Sequence, residues 1–245
     1  IPAALAAAND GLGRRGVMVL GDDALTRLAN IDTVVFDKTG TLTRGEPRIV
    51  DILMLDGSDP DLARRIAAAL ESGSGPPLAR AFADAAAAPA DAAELIPGQG
   101  ITGRVDGVAY QLGRAGFAGV GADDGGVWLA REGVAFARFE IRDPMRPEVP
   151  ELIRTLQGQG MQIWLASGDG ERAVAELALA AGITRVRARL SPEDKLALMR
   201  EQQARGRRVL MVGDGINDAP VLAGADVSMA LAGGSSMAQR SADLL

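Results

Sequence analysis

The chain is predicted to be an α/β protein: a Rossmann-like parallel sheet with helices on both faces, interrupted by an inserted α+β domain that contains an antiparallel sheet. Three observations lead there. The carboxyl-terminal half alternates short apolar runs with amphipathic helical patterns, as a parallel sheet with crossover helices requires. A β-rich run near the start, residues 33–36, has the same character and ends in an aspartate. Between these two regions the grammar changes to hairpin signals.

The elements follow in order. An apolar helical run opens the chain at residues 2–8, and residues 33–36 form the first strand of the parallel sheet. Helical patterns cover residues 61–71 and 78–88, and the alanine-rich tract 85–93 reads as a helix end and loop. One hairpin turns at Asp106-Gly107 between runs 101–105 and 108–112; a second turns at residues 131–133 between runs 127–130 and 134–139. A helix over 148–157 stops at Gly158, and the run 161–166 follows as a buried strand. Helices over 171–181, ending at Gly182, and over 192–204, with Pro192 behind Ser191, flank the next turn. A strand at 209–212, a short helix at 218–223 and a last strand at 227–231 complete the half. Gly45, Pro47, Pro144 and Pro147 punctuate the limits of the insert, which divides the chain into a discontinuous domain of residues 1–43 and 142–245 and an inserted domain of residues 44–141.

Composition narrows the chemistry. An apolar content of 47% over 245 residues supports packed cores and excludes a globally disordered chain. Lysine and arginine number 26 against 32 acidic residues, a net charge of -6, so nucleic acid is not an expected partner. The chain has no cysteine and no histidine. Thiol and imidazole catalysis, zinc sites built on those ligands, and disulfides are therefore excluded. No stretch is apolar enough to cross a bilayer and no signal peptide is visible, so the chain as given is expected to be soluble.

What remains is carboxylate, lysine, hydroxyl and backbone amide chemistry, and the motifs supply it. Ligands of an open parallel sheet bind beyond the carboxyl ends of its strands. Asp37-Lys38-Thr39-Gly40-Thr41 follows the first strand, Ser167-Gly168-Asp169 follows the second, and Gly213-Asp214-Gly215-Ile216-Asn217-Asp218 follows the strand at 209–212. A single Gly-Asp-Gly is usually a turn. Three acidic or glycine-rich motifs at corresponding strand ends point instead to phosphoryl transfer. An aspartate, with a reference pKa of about 3.9, is ionised at neutral pH, so Asp37 could attack phosphorus without a general base. Its obstacle is charge repulsion, which Mg2+ shared between Asp37, Asp214 and a phosphate oxygen would relieve, aided by Lys195 and by donors from Ser167, Gly168 and Asn217. A lysine on a helix start is ordinarily a solvated charge; the setting of Lys195 in Ser191-Pro192-Glu193-Asp194-Lys195, between two acidic motifs, argues otherwise.

Asp37-Lys38-Thr39-Gly40-Thr41-Leu42-Thr43 resembles the phosphorylation signature of P-type ATPases, members of the haloacid dehalogenase superfamily. Asp143 with Arg146-Pro147, Ser167-Gly168-Asp169 in place of the usual Thr-Gly-Asp, Pro192 to Lys195, and Gly213 to Pro220 agree with the family in order and spacing. The resemblance implies that Asp37 is phosphorylated from ATP and that Asp214 is a magnesium ligand, with Thr39 contributing its backbone carbonyl. It makes Lys195 a phosphate neutraliser, has Asn217 and Asp218 complete the site, and puts Asp143 at the hinge. The insert resembles the nucleotide-binding domain of the heavy-metal-transporting branch, through the stretch from Glu71 and Ser74 to Pro76-Pro77-Leu78-Ala79 and through Gly98-Gln99-Gly100-Ile101-Thr102-Gly103. That implies an ATP site at Glu71, Ser74, Gly98, Gly100 and Gly103. One departure stands out: Pro76 occupies the family's histidine position, removing a side chain able to stack on and hydrogen-bond to adenine. The ends, Ile1-Pro2-Ala3-Ala4 and residues 241–245, resemble segments flanking membrane helices. The chain is accordingly expected to be the cytoplasmic part of an integral membrane pump, working with an actuator domain and with membrane helices that bind a transported heavy-metal cation, copper among the candidates.

Two alternatives compete. A soluble phosphatase of the same superfamily would carry a second aspartate two positions after the nucleophile, where this chain has Thr39. A non-catalytic nucleotide-binding module would fit Pro76 but leaves the acidic constellation unexplained.

Overall fold

A computed structural model describes residues 3–21, 23–72, 78–85, 87–121, 125–214, 219–231 and 242–245. They form two compact units, residues 1–44 with 145–245 and residues 45–144. In chain order the first unit opens with helices α1 (Ala3–Gly13) and α2 (Ala24–Leu28) and strand β1 (Thr33–Asp37). The second unit holds β2 (Arg48–Met54), α3 (Pro60–Glu71), a 3-10 turn (Leu78–Phe82), β3 (Asp91–Ile96), β4 (Gly100–Val105), β5 (Val108–Gly113), β6 (Val127–Arg131) and β7 (Val134–Arg142). The chain then returns to the first unit through α4 (Val149–Gly158), β8 (Gln162–Ala166), α5 (Glu171–Ala181), β9 (Arg185–Arg187), α6 (Pro192–Ala204), β10 (Val209–Gly213), α7 (Ala219–Gly224) and β11 (Val227–Ala230).

The sheet of the first unit is wholly parallel, in the order β11-β10-β1-β8-β9. Strand alternation sends its side chains to two cores. Val34, Phe36, Ile163 and Leu165 pack on one face with Val149 and Ile153 of α4 and Val174 and Ala178 of α5. Val35, Trp164 and Met211 pack on the other with Leu198 and Met199 of α6 and Val221 and Leu222 of α7. A sheet buried on both faces explains why its central strands read as unbroken apolar runs. Gly182 ends α5 in the left-handed conformation, φ 76°, which glycine adopts without a Cβ penalty.

The six strands of the second unit are antiparallel, in the order β2-β7-β6-β5-β4-β3. Its α3 starts at the Asp59 cap, whose carboxylate accepts from the Asp61 amide with Pro60 in the first turn. The helix lays Ala63, Ile66, Ala67 and Leu70 over Ile101, Leu112, Leu129 and Phe139. Phe82 closes this core edge-to-face on Phe139, centroids 5.1 Å apart. Both anticipated hairpins form, with positive φ at Asp106 and Gly107 and at Glu132 and Gly133, as tight two-residue turns require.

Several elements differ from expectation. The helix expected over 78–88 is only the short turn Leu78–Phe82, and the tract expected to be loop to residue 93 already enters β3 at Asp91. Alanine-rich propensity gives way there to pairing with β4. Strands β2, β3 and β9 and helix α2 were not anticipated, and α1 runs to Gly13 rather than ending near residue 8.

Candidate active site

The parallel register brings three motif loops to one edge. Phe36 pairs with Val212 and Asp37 with Ala166, so β1, β8 and β10 end side by side. Past β1 the chain makes a tight turn over Lys38–Leu42, with Gly40 at φ 70°. Thr43 locks it: its backbone N–H and its hydroxyl both donate to the Lys38 carbonyl at 3.0 Å, and the hydroxyl accepts from Gly40 N–H. Arg146 buttresses the same turn, with Nε donating to the Thr41 carbonyl at 3.0 Å and Nη2 to the Gly40 carbonyl at 3.2 Å.

The loop after β8 is tied directly to the start of α6. Ser167 N–H donates to the Arg187 carbonyl, Arg189 N–H to the Asp169 carbonyl, and Leu190 N–H to the Ser167 carbonyl. Ser191 then caps α6 in a reciprocal box with Asp194. The Ser191 backbone N–H, and then its hydroxyl, hold the Asp194 carboxyl below its ordinary value. With that first turn fixed, Lys195 reaches Asp37: Nζ lies 2.6 Å from the carboxylate, and both side chains are more than nine-tenths buried.

Asp214 lies over Gly40. A Cβ at residue 40 would come within 2.6 Å of Asp214 Oδ2, so the glycine serves both the left-handed turn and the close approach of this carboxylate. Lys38 Nζ pairs with Asp169 at 2.6 Å, and Ser167 Oγ accepts from Asp169 N–H at 3.2 Å. A Cβ at Gly168 would stand 3.2 Å from the Leu190 carbonyl. Thr39 follows Lys38 with an extended backbone, φ -73° and ψ 130°, while the buried Thr41 hydroxyl has no hydrogen-bond partner among the described residues. Asn217 and Asp218 lie outside the described residues.

Three carboxylates, Asp37, Asp169 and Asp214, thus gather with two ammonium groups, Lys38 and Lys195. An incoming phosphoryl group would add further negative charge. Asp37, which ends β1, and Asp214, which lies over Gly40 of the turn that follows, offer the hard carboxylate oxygens Mg2+ prefers, so their chemistry fits that ion. Lys38 as the partner of Asp169, and Arg146 as the brace of the turn, were not foreseen. Neither contact has a local sequence signal, since each joins residues more than 100 positions apart.

The residues singled out in the second unit are placed differently. Glu71 ends α3 and is buried. Gly98 forms the β3–β4 turn at φ 74° with open space beside it. Gly100 and Gly103 have packing reasons of their own. A Cβ on Gly100 would collide with the Leu112 carbonyl and lie 2.7 Å from Gly113 Cα, and one on Gly103 would meet Leu70 at 2.9 Å. Ser74 and Pro76 lie outside the described residues.

The chain is similar in sequence and in fold to proteins of known family. The family of haloacid dehalogenase-like hydrolases matches residues 31–226. The chain is 39% identical over its whole length to a probable copper-transporting ATPase, SynA, of Synechococcus, and 42% identical to the nitrogen fixation protein FixI of Rhizobium leguminosarum. It spans about a third of the length of these relatives, 33% in each case. Among solved structures, the catalytic CPx-ATPase domain CopB-B superposes with a TM-score of 0.80 at 30% identity, covering 96% of this chain and 92% of that one. A zinc-transporting PIB-type ATPase in an E2.Pi state gives a TM-score of 0.74 at 31% identity, covering 99% of this chain and 43% of that one. The chain belongs to the haloacid dehalogenase-like hydrolases, as a catalytic portion of the PIB-type branch of the P-type ATPases.

Proposed function

We propose that the first unit is a phosphorylation domain and the second a nucleotide-binding domain, and that Asp37 takes the terminal phosphoryl group of ATP. One Asp37 oxygen attacks the γ-phosphorus as the bond from that phosphorus to the β-phosphate oxygen breaks, releasing ADP and leaving an acyl phosphate. Water later hydrolyses that acyl phosphate to restore the carboxylate. The observation that carries this reading is the buried Asp37 carboxylate at a strand end, held by Lys195 beside a turn covered by Asp214.

Each residue has a task that follows from its position. Lys195 offsets the charge of Asp37 in the resting state and would follow negative charge onto the phosphoryl oxygens as they arrive. Lys38 holds Asp169, keeping the loop after β8 in place. Arg146 and Thr43 fix the turn, so Asp37 needs no reorganisation to meet phosphorus. Thr41, buried with its hydroxyl unmatched among the described residues, is a donor available to a phosphoryl oxygen. Asp37, Asp214 and the Thr39 carbonyl would hold Mg2+. When bound, the ion supplies charge neutralisation and orients the phosphoryl oxygens. Thr39 stands where a phosphatase would have its acid-base carboxylate, so the acyl phosphate should persist, as a pump that couples it to a conformational change requires.

In the full-length protein this cycle would drive a heavy-metal cation across a membrane, with the cation held by residues outside this chain and an actuator domain of the same protein completing the cycle. Copper is the cargo suggested by several relatives' names. ATP would sit against Glu71, Ser74 and the Gly98 to Gly103 segment. Incubation of the chain with γ-labelled ATP and Mg2+ tests the reading. A slowly decaying acid-stable adduct supports it, rapid phosphate release without an adduct favours a phosphatase, and neither outcome favours a nucleotide-binding module.

A further inference from the structure

The second unit carries a cationic cavity that the phosphoryl-transfer reading leaves unused. About 520 Å³ in volume, it opens between the start of β2, the first half of α3 and the turn Leu78–Phe82, and is lined by Arg48, Arg64 and Arg80 together with Glu46, Ile49 and Phe82. Such a volume suits a small organic ligand rather than a single ion.

The three guanidinium groups are not equally engaged. Arg48 pairs with Glu46 at 3.1 Å, and Arg80 donates one N–H to the Gly45 carbonyl at 3.0 Å, so both are fixed at the rim. The Arg64 side chain has no hydrogen bond or ion pair among the described residues, and its buried Nε has no partner there. A buried N–H without an acceptor is unfavourable, and on a permanently charged group it is more so. Asp84 also lines the cavity but forms no ion pair with Arg64 among the described residues.

The cavity is separate from the glycine-rich segment. Strands β7, β6 and β5 lie between β2 and β4, a separation of roughly 19 Å at the usual spacing of strands. Arg64 also precedes Glu71 by two turns of α3, about 10 Å along the axis.

We propose that this cavity is a second anion site, one that takes a small phosphorylated molecule. Its phosphoryl oxygens accept from Arg64 and from the free N–H groups of Arg48 and Arg80, while its body lies over Ile49 and Phe82. The planar guanidinium fork matches a tetrahedral oxyanion through paired N–H donors. The inference does not depend on whether Asp37 is phosphorylated.

The test uses pyrophosphate as probe, added without Mg2+ to the 15N-labelled chain at constant ionic strength. The backbone amides of Arg48, Ile49, Arg64 and Arg80 should shift along one isotherm, half-saturated below about 1 mM. Arg64→Gln should weaken that isotherm at least about tenfold with the rest of the spectrum intact, and Arg64→Lys, which keeps the charge without the fork, should fall between. Acetate at the same ionic strength should give no comparable shifts. The proposal is overturned if these amides do not move, if Arg64→Gln or Arg64→Lys binds as tightly as the parent chain, or if acetate does the same as pyrophosphate.

Discussion

The Lys195–Asp37 pair allows a quantitative prediction. Its 2.6 Å separation and the 9% and 8% exposure of its side chains put both charges out of bulk water. At an effective dielectric of about 20 the gross attraction is roughly 6 kcal/mol, and desolvation of the two ions opposes most of it. The pair is therefore worth little against two apolar side chains, yet removing one partner strands the other. Lys195→Met should lower the unfolding free energy of the first unit by about 3 kcal/mol. Asp37→Asn should cost only about 1 kcal/mol, because its amide oxygen still accepts from the ammonium. Both residues have further interactions, so only a double-mutant cycle isolates the pair. In the double variant the cost should be smaller than the sum by at least about 1.5 kcal/mol. Urea titration reads this unit alone once Trp128 is replaced by phenylalanine, since the other of the two tryptophans, Trp164, lies in the first unit. Costs that add within about 0.5 kcal/mol would refute the argument that these charges depend on each other.

Three further predictions concern other places in the fold. Gly40→Ala should cost about 1 to 2 kcal/mol for its left-handed backbone and should push Asp214 aside, so that labelling by ATP is lost from a chain that still folds; labelling equal to the parent would show that the Asp214 placement is immaterial. Gly100→Ala should separate β4 from β5 and lower the stability of the second unit by about 3 kcal/mol or more, read from its Trp128 fluorescence; an unchanged urea midpoint would contradict the close backbone contact. Burial works to raise the Asp226 pKa, but hydrogen bonds from Val209 N–H, Gln203 and Arg208 outweigh it and leave the group below its ordinary value. A depressed folded value means that the stabilisation is present above the ordinary value and is lost as pH falls through the folded one, so Asp226→Asn should flatten the acid limb of stability below about pH 4; an identical pH dependence would rule this out.

How much could be read from the sequence depended on whether a signal was local. Strands β1, β8 and β10 are buried on both faces and read as short apolar runs, and turn chemistry at Asp106-Gly107 gave the first hairpin directly. Strand β2 escaped notice because it is an edge strand with a register shift between Ile49 and Asp51, which disrupts the alternation a strand normally shows. Strand β3 begins in an alanine-rich stretch whose helical propensity its pairing with β4 overrides. The gathering of Asp37, Lys195 and Asp214 was readable because each follows a strand or opens a helix at the same sheet edge. By contrast, the contacts of the Arg146 brace and of the Lys38–Asp169 pair join distant segments, so motifs that contain these residues do not say which residue meets which, and the arginine cavity has no motif at all. The glycines at 100 and 103 show the converse: a motif suggested ligand approach, and the structure supplies a packing reason that holds without one.

The central claim is that Asp37 becomes the acyl phosphate, and site mapping tests it most directly. The chain is labelled with ATP and Mg2+, quenched in acid and reduced with borohydride, which converts a phosphoaspartate to homoserine, and its peptides are then sequenced by mass spectrometry. The account predicts homoserine at position 37 and none in Asp37→Asn, whose acid-stable labelling is also abolished. Homoserine at Asp169 or Asp214, or undiminished labelling of Asp37→Asn, would contradict it.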